Sequence, residues 1–139
     1  MPMAMLHLSI PIRDIDTSLA FYRDLLGCQA ARVGQDRIDF DFFGHHLVAQ
    51  LSEAEAAHRS VRIGEGSYPL RHFGVIVQPD EYQRALDRLN DAAIPFAMKP
   101  RTIFAGTPRE QSVFLVYDPS GNALEFKALP DPHNVFSEN

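Results

Sequence analysis

Leu6-His7-Leu8-Ser9-Ile10-Pro11-Ile12 alternates aliphatic with other residues, as a strand with two dissimilar faces does. From Arg71 the pattern returns as His72-Phe73-Gly74-Val75-Ile76-Val77, with a histidine at the same point of the strand. The segments after the two copies match as well. After the first come Asp16-Thr17-Ser18, an N-cap region, and Leu19, Phe21, Tyr22, Leu25 and Leu26 at helical spacing, closed by Gly27. After the second, Pro79-Asp80-Glu81 opens a helix carrying Tyr82, Ala85, Leu86, Leu89 and Ala93. Three strand-like runs then complete each half: 29–33, 37–43 and 46–51 in the first, 95–100, 112–117 and 123–127 in the second, the last pair joined by a turn at Asp118-Pro119-Ser120-Gly121-Asn122.

The order is therefore strand, helix, three strands, written twice. It predicts an α+β fold of two tandem βαβββ modules whose curved mixed sheets form a barrel-like cavity, since each half-barrel alone leaves one sheet face uncovered. All 139 residues read as one domain: module 1 over about 5–51, a polar connector over about 52–70, module 2 over about 71–128 and a Pro-broken tail over 129–139. Residues 101–110, with Gly106 and Pro108, read as an insertion that the first half lacks.

Composition narrows the function. Hydrophobic residues make up 45% and charged residues 22%, enough for a real core, and 13 Lys and Arg against 18 Asp and Glu give a net charge of −5. With no basic run, neither nucleic acid nor an anionic membrane is an expected partner. The single Cys28 excludes an intrachain disulfide framework, and no run approaches the length of a membrane span, so the expected compartment is the cytoplasm. Six histidines are a surplus to be explained.

His7 and His72 occupy equivalent first strands, and Glu125 lies in the last strand of module 2. Two neutral imidazoles and one carboxylate are the set that grips a divalent ion while leaving positions open for substrate or water. A fourth ligand is expected from the last strand of module 1. Counting across the insertion makes Gln50 the repeat mate of Glu125, and His46, on the same strand face, is its rival. His45, His58 and His133 read as surface residues. Phe43 and Phe114 are candidates to line an aromatic pocket, and Arg101 and Arg109 with Phe104 are candidates to close over an anionic substrate as a lid.

Five pieces of the sequence resemble the vicinal oxygen chelate superfamily, which includes glyoxalase I, fosfomycin- and bleomycin-resistance proteins and extradiol dioxygenases. They are Leu6-His7-Leu8-Ser9-Ile10 with Asp14, the helix Ser18 to Gly27 with Phe21-Tyr22-Arg23-Asp24-Leu25-Leu26, His72-Phe73-Gly74-Val75, Tyr117 to Asn122, and Ala123-Leu124-Glu125-Phe126. The resemblance implies a divalent metal chelating adjacent substrate oxygens, with ligand positions at His7, Gln50, His72 and Glu125. The extradiol dioxygenases match at His7, His72 and Glu125 and use ferrous iron, so Fe(II) is the favoured ion among Fe, Mn, Co, Ni and Zn, and dioxygenase-type chemistry is favoured. Glyoxalase I enzymes carry a carboxylate where Gln50 stands, which demotes a lyase or isomerase activity of that kind. The tyrosine expected in the dioxygenases falls at Leu115, leaving Tyr117, two residues on along the same face, as its stand-in. The resemblance also implies a small-molecule substrate and a homodimer. The competing reading is a non-catalytic small-molecule binding or resistance protein of the same fold.

Overall fold

A computed structural model describes residues 4–52, 59–63 and 66–138. Its strands are β1 (His7–Ile12), β2 (Gln29–Val33), β3 (Arg37–Phe42), β4 (His45–Leu51), β5 (Arg59–Ile63), β6 (Gly66–Leu70), β7 (His72–Val77), β8 (Phe96–Ile103), β9 (Gln111–Tyr117) and β10 (Ala123–Ala128). Helix α1 (Ile15–Leu19) runs into a π-helical turn at Ala20–Leu25, α2 spans Pro79–Asp91, and a 3₁₀ turn covers Pro132–Phe136. The strands form two separate four-stranded mixed sheets of one design, ordered β1-β4-β3-β2 and β7-β10-β9-β8, and a small β5-β6 hairpin. In each large sheet the first strand pairs in parallel with the last and the remaining pairs are antiparallel. The twofold strand–helix–three-strand plan and the α+β class are thus present. The β5-β6 hairpin occupies part of the stretch read as a connector, and His58 lies outside the described residues. No described helix is long and apolar enough to cross a membrane.

The chain makes two compact units, Met1–His58 with Asp118–Asn122, and Arg59–Tyr117 with Ala123–Asn139. In the first, alternation sends Ile10 and Ile12 of β1, Leu47 and Ala49 of β4, and Ile38, Phe40 and Phe42 of β3 to one buried face. The helical segment covers that face: Tyr22, fully buried, packs its ring 5.2 Å from Phe40. The N-cap is Asp14, not the 16–18 region the sequence suggested; its carboxylate accepts a 2.8 Å hydrogen bond from the Thr17 backbone. The helix also widens after Leu19, where the Leu26 backbone N–H donates to Phe21 rather than to Tyr22. Gly27, at φ 82°, ends it.

Five residues from far along the chain complete this unit. Asp118 is buried, and its Oδ1 accepts the backbone N–H groups of Ser120 and Asn122 at 2.8 Å each. Its Oδ2 accepts the Tyr22 hydroxyl at 2.8 Å and the Asn122 side-chain amide at 2.9 Å. Asn122 also donates to the Pro11 carbonyl, and Ser120 Oγ accepts the Arg13 N–H. The Asp-Pro-Ser-Gly-Asn turn is thereby fastened to β1 and to the helix. Burial and the facing carboxylate push the Tyr22 phenol well above its usual titration range.

In the second unit Leu124 and Phe126 of β10, Phe114 and Val116 of β9, and Val77 of β7 are buried on one face. Helix α2 lays Tyr82 against that face, its ring 5.1 Å from Phe114, which stacks in turn on Phe126 at 5.1 Å. Pro79 sits at the helix start, where a missing N–H costs nothing, with Asp80 and Glu81 beside the positive end of the dipole.

Candidate metal centre

The opposite face of the second sheet carries the polar residues. Register places His72, Ala123 and Tyr117 in one cross-strand row, Gly74, Glu125 and Leu115 in the next, and Ile76, Lys127 and Val113 in the third. A cavity of about 290 Å³ lies over these rows, lined by His72, Gly74, Ile76, Glu125 and Lys127 among others. His72 Nδ1–H donates to the Pro69 carbonyl at 2.7 Å, and since a carbonyl only accepts, the proton sits on Nδ1 and the lone pair on Nε2. Nε2 stands 3.7 Å from Glu125 Oε1, beyond a hydrogen bond and within the span of two ligands, each about 2.0–2.2 Å from one ion. Lys127 Nζ approaches the same oxygen at 3.6 Å and balances its charge. Gly74 is required next to Glu125, because a Cβ there would run into the Glu125 backbone carbonyl.

The first unit has its own polar face, with His7 opposite His46 and His46 opposite Asp41. The two Nδ1 atoms of His7 and His46 are 3.0 Å apart, and the rings stack with centroids 4.8 Å apart and 25° between planes. His46 Nε2 stands 2.8 Å from Oδ1 of Asp39, which Arg37 and Arg32 also hold, at 3.0 and 3.1 Å. The His46 hydrogen bond, with these two guanidiniums, holds the buried Asp39 carboxyl down at about 2. Gln50 is exposed and opposite Pro11 and Arg37, two rows from His46. With His7 matched to His72, the residue standing where Glu125 stands is Val48, opposite Ser9 as Glu125 is opposite Gly74. Counting across the insertion misplaced this match because the turns differ: Phe43 and Gly44 join β3 to β4, whereas five residues join β9 to β10.

Each sheet thus offers a pair of donors of the kind a borderline divalent ion takes, although among the described residues no group of three or more His, Cys, Asp or Glu forms a metal cage. A family model described as Glyoxalase/Bleomycin resistance protein/Dioxygenase superfamily matches residues 4–126. The chain belongs to this superfamily. A crystal structure of a glyoxalase/bleomycin resistance protein/dioxygenase from Alicyclobacillus acidocaldarius is similar at 35% identity, with 96% of each chain covered and a TM-score of 0.76. The fold is shared with the fosfomycin resistance protein FosX from Listeria monocytogenes, at 14% identity, 96% and 98% coverage and TM-score 0.70. A glutamate-to-glutamine mutant of that protein, 12% identical with 99% and 100% coverage and TM-score 0.68, was solved with Mn(II) and 1S,2S-dihydroxypropylphosphonic acid. Lactoylglutathione lyase from Agrobacterium tumefaciens shares it too, at 16% identity, 98% coverage of both chains and TM-score 0.64. A comparison with curated proteins finds no match.

The other expected site residues are scattered across this superfamily fold. Tyr117 shares the Glu125 face and its strand position is opposite Ala123, while Leu115, opposite Glu125 itself, is fully buried. Phe114 is not a pocket residue: two-residue alternation sends it to the opposite, helix-covered face. Phe43 leaves its strand for the tight turn, at φ 52° beside Gly44 at φ 87°, the two-residue connection whose twist suits a hairpin. Arg101 belongs to β8, opposite Val113, rather than to an inserted loop. Phe104 is exposed in the loop, with the Arg109 guanidinium 4.1 Å above its ring, so the two engage each other. His45 Nδ1 accepts the Leu6 N–H, a structural role. Pro69, Asp39 and Lys127 were not singled out as functional. Asp39 left a signal, since the alternation of Arg37 to Phe42 already sets it on the polar face; Pro69 acts through a backbone carbonyl and left none.

Proposed function

We propose that this chain is a divalent-metal enzyme acting on a small substrate with adjacent oxygens, the ion bound through His72 and Glu125 with His7 as third ligand, Fe(II) being favoured and the reaction of dioxygenase type. The observation that carries the reading is the His72–Glu125 pair: a carboxylate and an imidazole lone pair, 3.7 Å apart beside one cavity, with the imidazole tautomer fixed from behind by the Pro69 carbonyl. His7 comes to the set from its place in the repeated strand and from the family resemblance. Mn(II) in a fold relative supports a divalent ion of this class.

When bound, the ion supplies Lewis acidity to the substrate oxygens. The chain's residues hold and orient. Pro69 keeps the His72 proton on Nδ1, Gly74 lets the Glu125 strand approach closely, and Lys127 offers a cation beside the carboxylate. Tyr117 is assigned a phenol proton for a substrate oxygen, and Gln50 a neutral hydrogen bond to substrate. The protein is taken to work in the cytoplasm as a homodimer.

Metal analysis of protein purified without chelators tests the reading. Near-stoichiometric Fe, Mn, Co, Ni or Zn, lost in His72→Ala and in Glu125→Ala, is expected, and a metal-free wild type would sink it. Oxygen uptake with a catechol panel and added Fe(II) tests the reaction type. Silence across the panel, with metal bound, moves the assignment to lyase or isomerase chemistry; ligand binding without metal or turnover identifies a binding protein.

A further inference from the structure

His46, rather than Gln50, stands beside His7, and the surroundings of His46 are those of a metal-binding imidazole. Its Nε2 has only the acceptor-only carboxylate of Asp39 at 2.8 Å, so the proton is on Nε2 and the Nδ1 lone pair is turned toward His7. That carboxylate–histidine arrangement is the one that fixes ring orientation and raises basicity in metal-bound histidines. Asp39 is in turn locked by Arg32 and Arg37, so its position does not depend on the histidine.

The spacing fits. The Nδ1 atoms of His7 and His46 are 3.0 Å apart and share a hydrogen bond, His7 Nδ1–H donating to the His46 Nδ1 lone pair, so a bound ion would take the place of that proton. Two ligands at about 2.0–2.1 Å from an ion and at right angles lie about 2.9 Å apart. The stacked rings need a turn about χ2 to aim both lone pairs at one point. A hollow of about 270 Å³ borders His46 on its Asp39 side, lined also by Asp41 and Arg32 and not by His7. Gln50, four residues further along β4, is about 13 Å away at the strand rise of roughly 3.3 Å per residue, outside the shell of any ion that His7 binds.

We propose that His7 and His46 form a two-imidazole chelate for a borderline divalent ion, with Asp39 as the positioning residue behind His46. This rests on the metal-enzyme reading above, with which it shares His7.

Co(II) titration of the metal-free protein, followed by visible absorption and calorimetry, tests this in wild type, His46→Ala, His46→Gln, Asp39→Asn, Gln50→Ala and His72→Ala. His46→Ala and His46→Gln are expected to weaken Co(II) at least about tenfold, Asp39→Asn about 10- to 100-fold, and Gln50→Ala less than twofold. Thermal unfolding of each metal-free variant separates lost ligation from lost fold, and His46→Gln serves if His46→Ala does not fold. Wild-type Co(II) affinity in both His46 variants overturns the proposal, as does a Gln50→Ala loss equal to theirs. If His72→Ala alone abolishes binding, the chelate falls and the enzyme reading stands; if the His46 variants weaken binding and His72→Ala does not, the chelate stands and the ligand set built on His72 falls. A wild type that takes up no Co(II) overturns both.

Discussion

Tyr22→Phe removes one hydroxyl from the buried polar cluster around Asp118. The replacement keeps the ring and its contacts with Phe21, Phe40 and Phe42, so no cavity opens and the change reports the hydrogen bond to Asp118. A hydrogen bond to a charged group contributes about 1.5–3 kcal/mol. Asp118 keeps three other donors, from Ser120 N, Asn122 N and Asn122 Nδ2, so the carboxylate is not stranded and the cost belongs at the low end, about 1.5–2 kcal/mol. At about 2.1 cal/mol/K of unfolding entropy per residue, a chain of this length should lose roughly 5–7 °C in Tm. Asp118→Asn should cost more, about 3 kcal/mol, because one amide oxygen must then serve several buried donors. Urea unfolding of the single variants and the pair completes a double-mutant cycle, with a coupling of about 1 kcal/mol expected. A Tyr22→Phe loss below about 0.5 kcal/mol, or a coupling near zero, would show that the turn is not fastened through this bond.

Three further outcomes rest on the same geometry. Gly74→Ala forces a Cβ into the Glu125 backbone and should destabilise by about 2–3 kcal/mol while lowering metal uptake; unfolding and metal analysis as in wild type would refute the close approach. Lys127→Met removes the cation 3.6 Å from Glu125 and should tighten divalent-ion binding several-fold, most at low salt, and weaker binding would show that Lys127 acts otherwise. Burial pushes the Cys28 thiol up to about 11. Its protonated form therefore favours the folded state, a contribution fully present below the unfolded thiol value near 9 and lost as pH rises toward 11. Alkylation of the native protein at pH 8 should run at least about a hundredfold slower than in urea, and equal rates would contradict that burial.

Much of this fold was legible because its signals are local. Alternation along β1, β3 and β10 is plain in the residues themselves, and its apolar members Ile10, Ile38, Phe40, Leu124 and Phe126 are the buried ones, while Gly27 and the 118–122 turn mark element ends. The features that escaped are ones that periodicity does not carry. The π-helical turn after Leu19 keeps an ordinary helical apolar spacing, so nothing in the residues announces the wider bonding. The β5-β6 hairpin lies in a polar stretch with Gly64, Gly66 and Pro69, which read as a connector. His72 and Glu125 were reached by matching positions in a repeat, but the same counting made Gln50 the mate of Glu125, with His46 left as its rival, where the register puts Val48, because unequal turns shift register by whole pleats without changing which face a residue occupies. The partners that set protonation, the Pro69 carbonyl and Asp39, become visible only when strands are laid side by side.

The capture of Asp118–Asn122 by the first unit also sets an order of events during synthesis. A nascent chain emerging from the ribosome can form β1 to β4 and the helical segment early, but Tyr22 has no carboxylate and the Pro11 carbonyl no amide until the last fifth of the chain is being made. The first unit is begun first and finished late. A fragment ending after β4 should therefore be recovered as a loosened, protease-sensitive species that a synthetic peptide carrying the turn can tighten.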